Sequence, residues 1–135
     1  MLTQTEQIDS AEIWADLQYH RVLNYLTGNR VFTHGSLRLV WLGAPWLALY
    51  SALEYEKDGG PLWVLHTEGL TGHLYDSPKM SPRMIFNKFA GQWHSFSEAG
   101  SLENLPVSAG GKEGREELKR WSAILKSMAS DSQLW

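Results

Sequence analysis

Trp46-Leu47-Ala48-Leu49-Tyr50-Ser51-Ala52-Leu53-Glu54-Tyr55, the turn signal Lys57-Asp58-Gly59-Gly60 and the run Leu62-Trp63-Val64-Leu65 decide how this chain folds. Ala and Leu in the first run favour a helix, whereas Tyr and Trp favour a sheet. The Asp-Gly-Gly turn settles the choice as a hairpin, since glycines supply the backbone angles that a tight reversal needs. As a strand, Trp46–Tyr55 places Leu47, Leu49, Leu53 and Tyr55 on one face and Trp46, Ala48, Tyr50 and Glu54 on the other. Upstream, Leu37–Leu42 reads as a further strand that ends at Gly43-Ala44-Pro45, and Val31-Phe32-Thr33 as a short extended segment. The expected sheet is an antiparallel meander of about three strands.

Helices flank this sheet on both sides in sequence. Ile8-Asp9-Ser10-Ala11-Glu12-Ile13 carries a complete start signal: Asp9 as N-cap, Glu12 reaching back and Ile8 stapled to Ile13. That helix is expected to run to about Leu26 and stop at Gly28. Leu17, Val22 and Leu26 would be buried with Trp14 and Tyr19 beside them, and Arg21 and Asn24 would face water. Ser81-Pro82 opens a second helix, because Ser caps well and Pro at the first helical position lacks an N–H that would be unpaired anyway. Phe86, Phe89, Trp93 and Phe96 then form one aromatic stripe. After a Gly-rich linker near 105–112, a third helix carries Glu113, Glu116 and Glu117 early and Lys119, Arg120 and Lys126 later, as the helix dipole favours. Leu118, Trp121, Leu125 and Met128 make its apolar seam. The expected fold class is α+β, with residues 1–135 as one globular domain.

The chain of 135 residues has a net charge of −3, no cysteine and no long basic run. A phosphate-backbone stripe is therefore missing, and nucleic acid is excluded as the expected partner. Disulfides and thiolate chemistry are excluded with cysteine, which fits a reducing compartment. The opening Met1-Leu2-Thr3-Gln4-Thr5-Glu6 lacks the basic and apolar regions of a secretory signal, and Leu39–Leu53 is too short and too interrupted to span a bilayer. A cytoplasmic protein with no membrane partner is expected.

Catalytic motifs are weak. Gly110-Gly111-Lys112-Glu113 lacks the hydroxyl that a phosphate loop needs after its lysine, and Glu68-Gly69-Leu70-Thr71-Gly72 reads as a structural turn before an anion cradle. His66 and Glu68 share the spacing of zinc deaminases without the cysteine ligands those sites require. Asp16 and His20, four apart, read as a solvent-facing hydrogen-bonded pair. His66, His73 and His94 with Glu68 or Asp76 lack a tight ligand spacing, so no metal and no cofactor is expected. The candidate binding loop is His66–Asp76, with His66, Glu68, Thr71, His73, Tyr75 and Asp76, joined by His94 from the second helix. It would serve the alternative reading, a small enzyme or ligand-binding protein.

Over Trp46 to Trp93 the order of residues resembles a family of small bacterial proteins classified as a domain of unknown function. The resemblance rests on Ser51-Ala52-Leu53-Glu54, Leu62-Trp63-Val64-Leu65, a Gly-containing turn leading to Tyr75, Pro82-Arg83, Phe89-Ala90 and Trp93. Where the family tends to carry a Gly-Asp-x-Pro-Thr-Asp-Tyr turn, this chain reads Glu68-Gly69-Leu70-Thr71-Gly72-His73-Leu74-Tyr75. The resemblance implies an α+β fold and no activity.

Seven Trp and five Tyr are the residue types that most often carry interface energy. The leading expectation is a non-catalytic protein-binding module, either an inhibitor or immunity-like partner of a basic protein or a self-associating domain. Trp121, Leu134 and Trp135 are the candidate interface, since the tail beyond Ser130-Asp131-Ser132-Gln133 ends on a tryptophan.

Overall fold

A computed structural model describes residues 4–31, 37–43, 46–57, 60–109 and 111–135, with side chains omitted for 4–11, 53–57 and 111. Helix α1 (Gln4–Gly28) is followed by strands β1 (Arg38–Gly43), β2 (Leu47–Lys57), β3 (Gly60–Thr67) and β4 (Thr71–Tyr75). Helices α2 (Pro82–Ser97) and α3 (Gly111–Ser130) come next, and a short 3-10 turn, Ser132–Leu134, ends the chain. The strands form one antiparallel sheet in the order β1-β2-β3-β4. It is an α+β fold in three layers, with α1 on one sheet face and the α2/α3 pair on the other.

The β2 region is a strand, as its turn signal implies, and Lys57 pairs with Gly60 across the reversal. Leu47 and Leu49 enter the core under α2 and α3, while Ala48 and Tyr50 enter the core under α1. Both faces of the strand are buried, so it reads as a nearly continuous apolar run instead of alternating. Gly60 has φ +119°, and a Cβ there would lie 2.6 Å from the Asp76 carbonyl oxygen, so no other residue fits.

The sheet has four strands and not three. The segment read as a loop forms the end of β3, a turn and all of β4. It was illegible as a strand because its inward residues are polar: Thr71 and His73 are buried under α1 and their hydrogen bonds, not apolar packing, define that face.

Helix α1 begins at Gln4, which places Asp9 inside the helix and not at its N-cap. Gln4, Glu6 and Gln7 are good helix formers, and a glutamate in the first turn suits the dipole, so the helix continues past the capping signature. Val22 and Leu26 are buried as expected, with Trp14 and Tyr19 half-buried and Arg21 and Asn24 exposed. Leu17 is 64% exposed, because five residues of helical rotation carry it about 140° away from Val22. The helix ends in a Schellman arrangement in which Val31 N donates to Leu26 O at 2.8 Å and Arg30 N donates to Thr27 O at 3.0 Å. Arg30, with φ 60°, takes the left-handed position there. The extended segment expected at Phe32-Thr33, the Ile8–Ile13 staple and the faces of Leu53, Glu54 and Tyr55 lie outside the described residues.

Ser81 caps α2 by accepting from Met84 N at 3.2 Å, with Pro82 at the first helical position. Phe86, Phe89 and Trp93 are buried and Phe96 is half-buried. Helix α3 lies antiparallel to α2: Arg83 Nε donates to the Ala129 carbonyl and Arg115 donates to the carbonyls of Ser97 and Ala99 at the other end. Leu118, Trp121, Leu125 and Met128 are buried in the same core.

The segment before α3 is tied to the sheet. Val107 bridges Gly72, His73 N donates to Pro106 O, and Ser108 N donates to Thr71 O. Thr71 N in turn donates to the Ser108 hydroxyl. This strap covers the β4 edge. Strand β1 is the other edge, and among the described residues nothing hydrogen-bonds to its outer side.

Candidate functional site

Period-two geometry puts His66 on the α1 face of β3, and Thr71, His73 and Tyr75 on the same face of β4. Helix α1 supplies the partners. His66 Nε2 stands 3.1 Å from Gln18 Oε1, which can only accept, so Nε2 carries the proton. Nδ1 then accepts the Thr71 hydroxyl at 2.7 Å. The ring stacks on Trp14 at 5.6 Å between centroids. It is 3% exposed. Burial, aided by the nearby Arg21 guanidinium, holds its pKa down to about 4. The Tyr25 hydroxyl and His73 Nδ1 share a hydrogen bond of 2.6 Å, and burial, then Tyr75, raises the Tyr25 pKa well above the ordinary phenol range. Tyr50 is likewise pushed up to about 12 by burial, then by Tyr19 and Asp16.

Chemically, this is a hydrogen-bond lattice in which His66 and Tyr25 are neutral. Both ring nitrogens of His66 are engaged, and Tyr25 keeps its proton, so general-base chemistry would first have to break contacts that dock α1 on the sheet. Beside it lies an open cleft of about 420 Å³ lined by Arg21, Asn24, Glu68, Leu70 and Ser108 along with His66 and Thr71.

The sequence-derived cluster divides in space. His66, Thr71, His73 and Tyr75 share the α1 side, and Glu68 is exposed in the β3–β4 turn. Asp76 lies past the end of β4, where Oδ1 accepts from Ser77 N, the carbonyl accepts from Trp63 Nε1, and Lys88 stands 3.9 Å away. His94 belongs to α2 in the opposite layer and pairs with Glu98 at 3.4 Å. Among the described residues no three His, Asp or Glu side chains converge as metal ligands. Gln18 and Tyr25 were missed because each meets its histidine from 48 residues away, and no local spacing signals such a pair.

The expected interface also divides. Trp121 is 5% exposed and packs in the core, with Arg120 over its ring. Trp135 folds back onto its own chain: its Nε1 donates to Met128 O at 3.0 Å, and its ring lies 6.1 Å from Trp41 and 5.6 Å from Phe86. Asp131 caps the 3-10 turn that makes this return. Leu134 and Trp135 nonetheless remain 42% and 38% exposed, with the Trp135 ring beside the half-buried Trp41 of β1.

No helix among the described residues is long and apolar enough to cross a membrane. Comparison with protein-family models, curated proteins and solved structures gives no match to this chain. A functional reading therefore rests on geometry alone.

Proposed function

We propose that the protein is a non-catalytic protein-binding module that associates with a second copy of itself through β1 and the tail ending in Trp135. The carrying observation is the difference between the two sheet edges. The strap at 105–109 covers β4, whereas among the described residues nothing pairs with the outer side of β1, which presents Leu39-Val40-Trp41-Leu42 with Trp135 beside it. Its guards are Arg38 at one end and the bulge between Leu39 and Trp41. An unpaired apolar edge is a template for another strand, and a two-fold axis makes such a contact self-complementary. Centred between Val40 and Trp41, antiparallel pairing sets Arg38 opposite Gly43 of the second copy, so no like charges meet. The bulge shortens the regular ladder, which leaves Trp41, Leu134 and Trp135 to provide much of the buried area.

Sedimentation over a concentration range tests this. The full chain should dimerise, and Leu39→Lys or removal of Leu134 and Trp135 should each weaken the dimer while the monomer stays folded. A full-length chain that stays monomeric throughout, or a dimer indifferent to both changes, refutes it. A second reading, a ligand-binding protein, is favoured by the cleft beside His66, whose volume falls in the range of small-molecule sites. Quenching of Trp14, stacked on His66, would report an occupant.

A further inference from the structure

On the side of α2 and α3 away from the sheet lies a groove of about 730 Å³ that neither the histidine lattice nor the β1 edge uses. Its two walls have the same spacing. Asn87, Ala90, Gly91 and His94 line it from α2, and Lys119, Ser122, Ala123 and Lys126 from α3, each set at i, i+3, i+4, i+7. Small residues form the middle of both walls and polar or charged residues form the ends. Arg120 adds a third cation to the rim. Arg120 pairs with Glu117 and His94 with Glu98, whereas Lys119 and Lys126 have no ion-pair partner among the described residues. The positive rim stands on a chain whose net charge is −3.

Gly91 adds an independent argument. It sits inside α2, where glycine weakens a helix relative to alanine. Close packing usually accounts for such a residue, yet a Cβ built at Gly91 meets nothing within 4 Å. Packing within the folded chain therefore does not require glycine at this position. A helix approaching from outside would, since small residues let helix axes come close.

We infer that the α2/α3 groove binds an acidic amphipathic helix of a partner protein, which completes a three-helix layer. Its apolar side would rest on Ala90, Gly91, Ser122 and Ala123, and its flanking carboxylates would meet Lys119, Arg120 and Lys126. This site is separate from the self-association edge.

Fluorescence anisotropy with a labelled helical peptide of about 18 residues, leucine on the seam and glutamate on its flanks, tests the inference. Binding should saturate and weaken with salt. The Lys119→Glu/Lys126→Glu double variant should weaken it at least about tenfold. Gly91→Leu should do the same by filling the groove while its melting temperature holds or rises, which shows that the fold survives. Leu39→Lys should leave peptide binding intact, so this inference and the self-association proposal fail independently. The inference is overturned by any of four results: no saturation, equal binding of the peptide with lysine in place of glutamate, affinity unchanged in Gly91→Leu, or capture of phosphatidylserine vesicles in place of the peptide.

Discussion

Acidification from about pH 7 to about pH 5 should cost this protein about 2 kcal/mol through His66 alone. The ring is buried, neutral and held between Gln18 and Thr71, with its pKa lowered to about 4 from the 6.5 of a free histidine. Lowering in the folded state means that the unfolded chain binds the proton more readily between those values. Stability is therefore fully present above about pH 6.5, falls as pH drops towards about 4, and changes no further below that. Within the window the slope approaches about 1.4 kcal/mol per pH unit, and integration from about pH 7 to about pH 5 gives the stated loss. Urea denaturation at the two pH values measures the total, which also includes carboxylates and other histidines. The His66→Gln variant removes only the His66 part, so its pH-dependent loss should be smaller by about 2 kcal/mol, whatever its stability at neutral pH. NMR titration of the ring in the unaltered protein should show a midpoint near 4. Equal pH-dependent losses in both proteins, or a midpoint near that of free histidine, would refute the reasoning.

Three further outcomes follow from single contacts. Arg30→Gly should stabilise the chain by about 1 kcal/mol in chemical denaturation, because Arg30 holds φ 60° at the end of α1, a conformation that only glycine adopts without penalty. Gly72→Ala should destabilise it by about 1–3 kcal/mol, since the new Cβ would sit 2.8 Å from Nε1 of the fully buried Trp93; an unchanged melting temperature would show that the indole can move aside. Leu125→Asp, at 0% exposure, should unfold the protein or release α3, at a cost of several kcal/mol, and retained amide protection in α3 would contradict that.

Local signals were sufficient wherever a residue's role depends on its near neighbours. Ser81-Pro82 starts α2, the aromatic stripe faces the sheet, the Asp58-Gly59-Gly60 signal makes β2 and β3 a hairpin, and Leu118, Trp121, Leu125 and Met128 seal α3. These are short-range properties of capping, turn geometry and helical period, so composition and spacing carry them. The start of α1 shows the limit of that logic: a complete capping signature at Asp9 lost to helix-forming residues upstream. Strand β4 and the return of Trp135 depend on partners far away in sequence. The polar residues Thr71 and His73 became an inward strand face only because Gln18 and Tyr25 of α1 arrive above the sheet to complete the lattice, directly or through His66. The α2/α3 groove is likewise visible only once the two helices lie antiparallel, when two unremarked i, i+3, i+4, i+7 sets become its facing walls. Periodicity along one chain reports which side of an element is apolar. What that side meets, and which cations end up sharing a rim, is set by packing between elements.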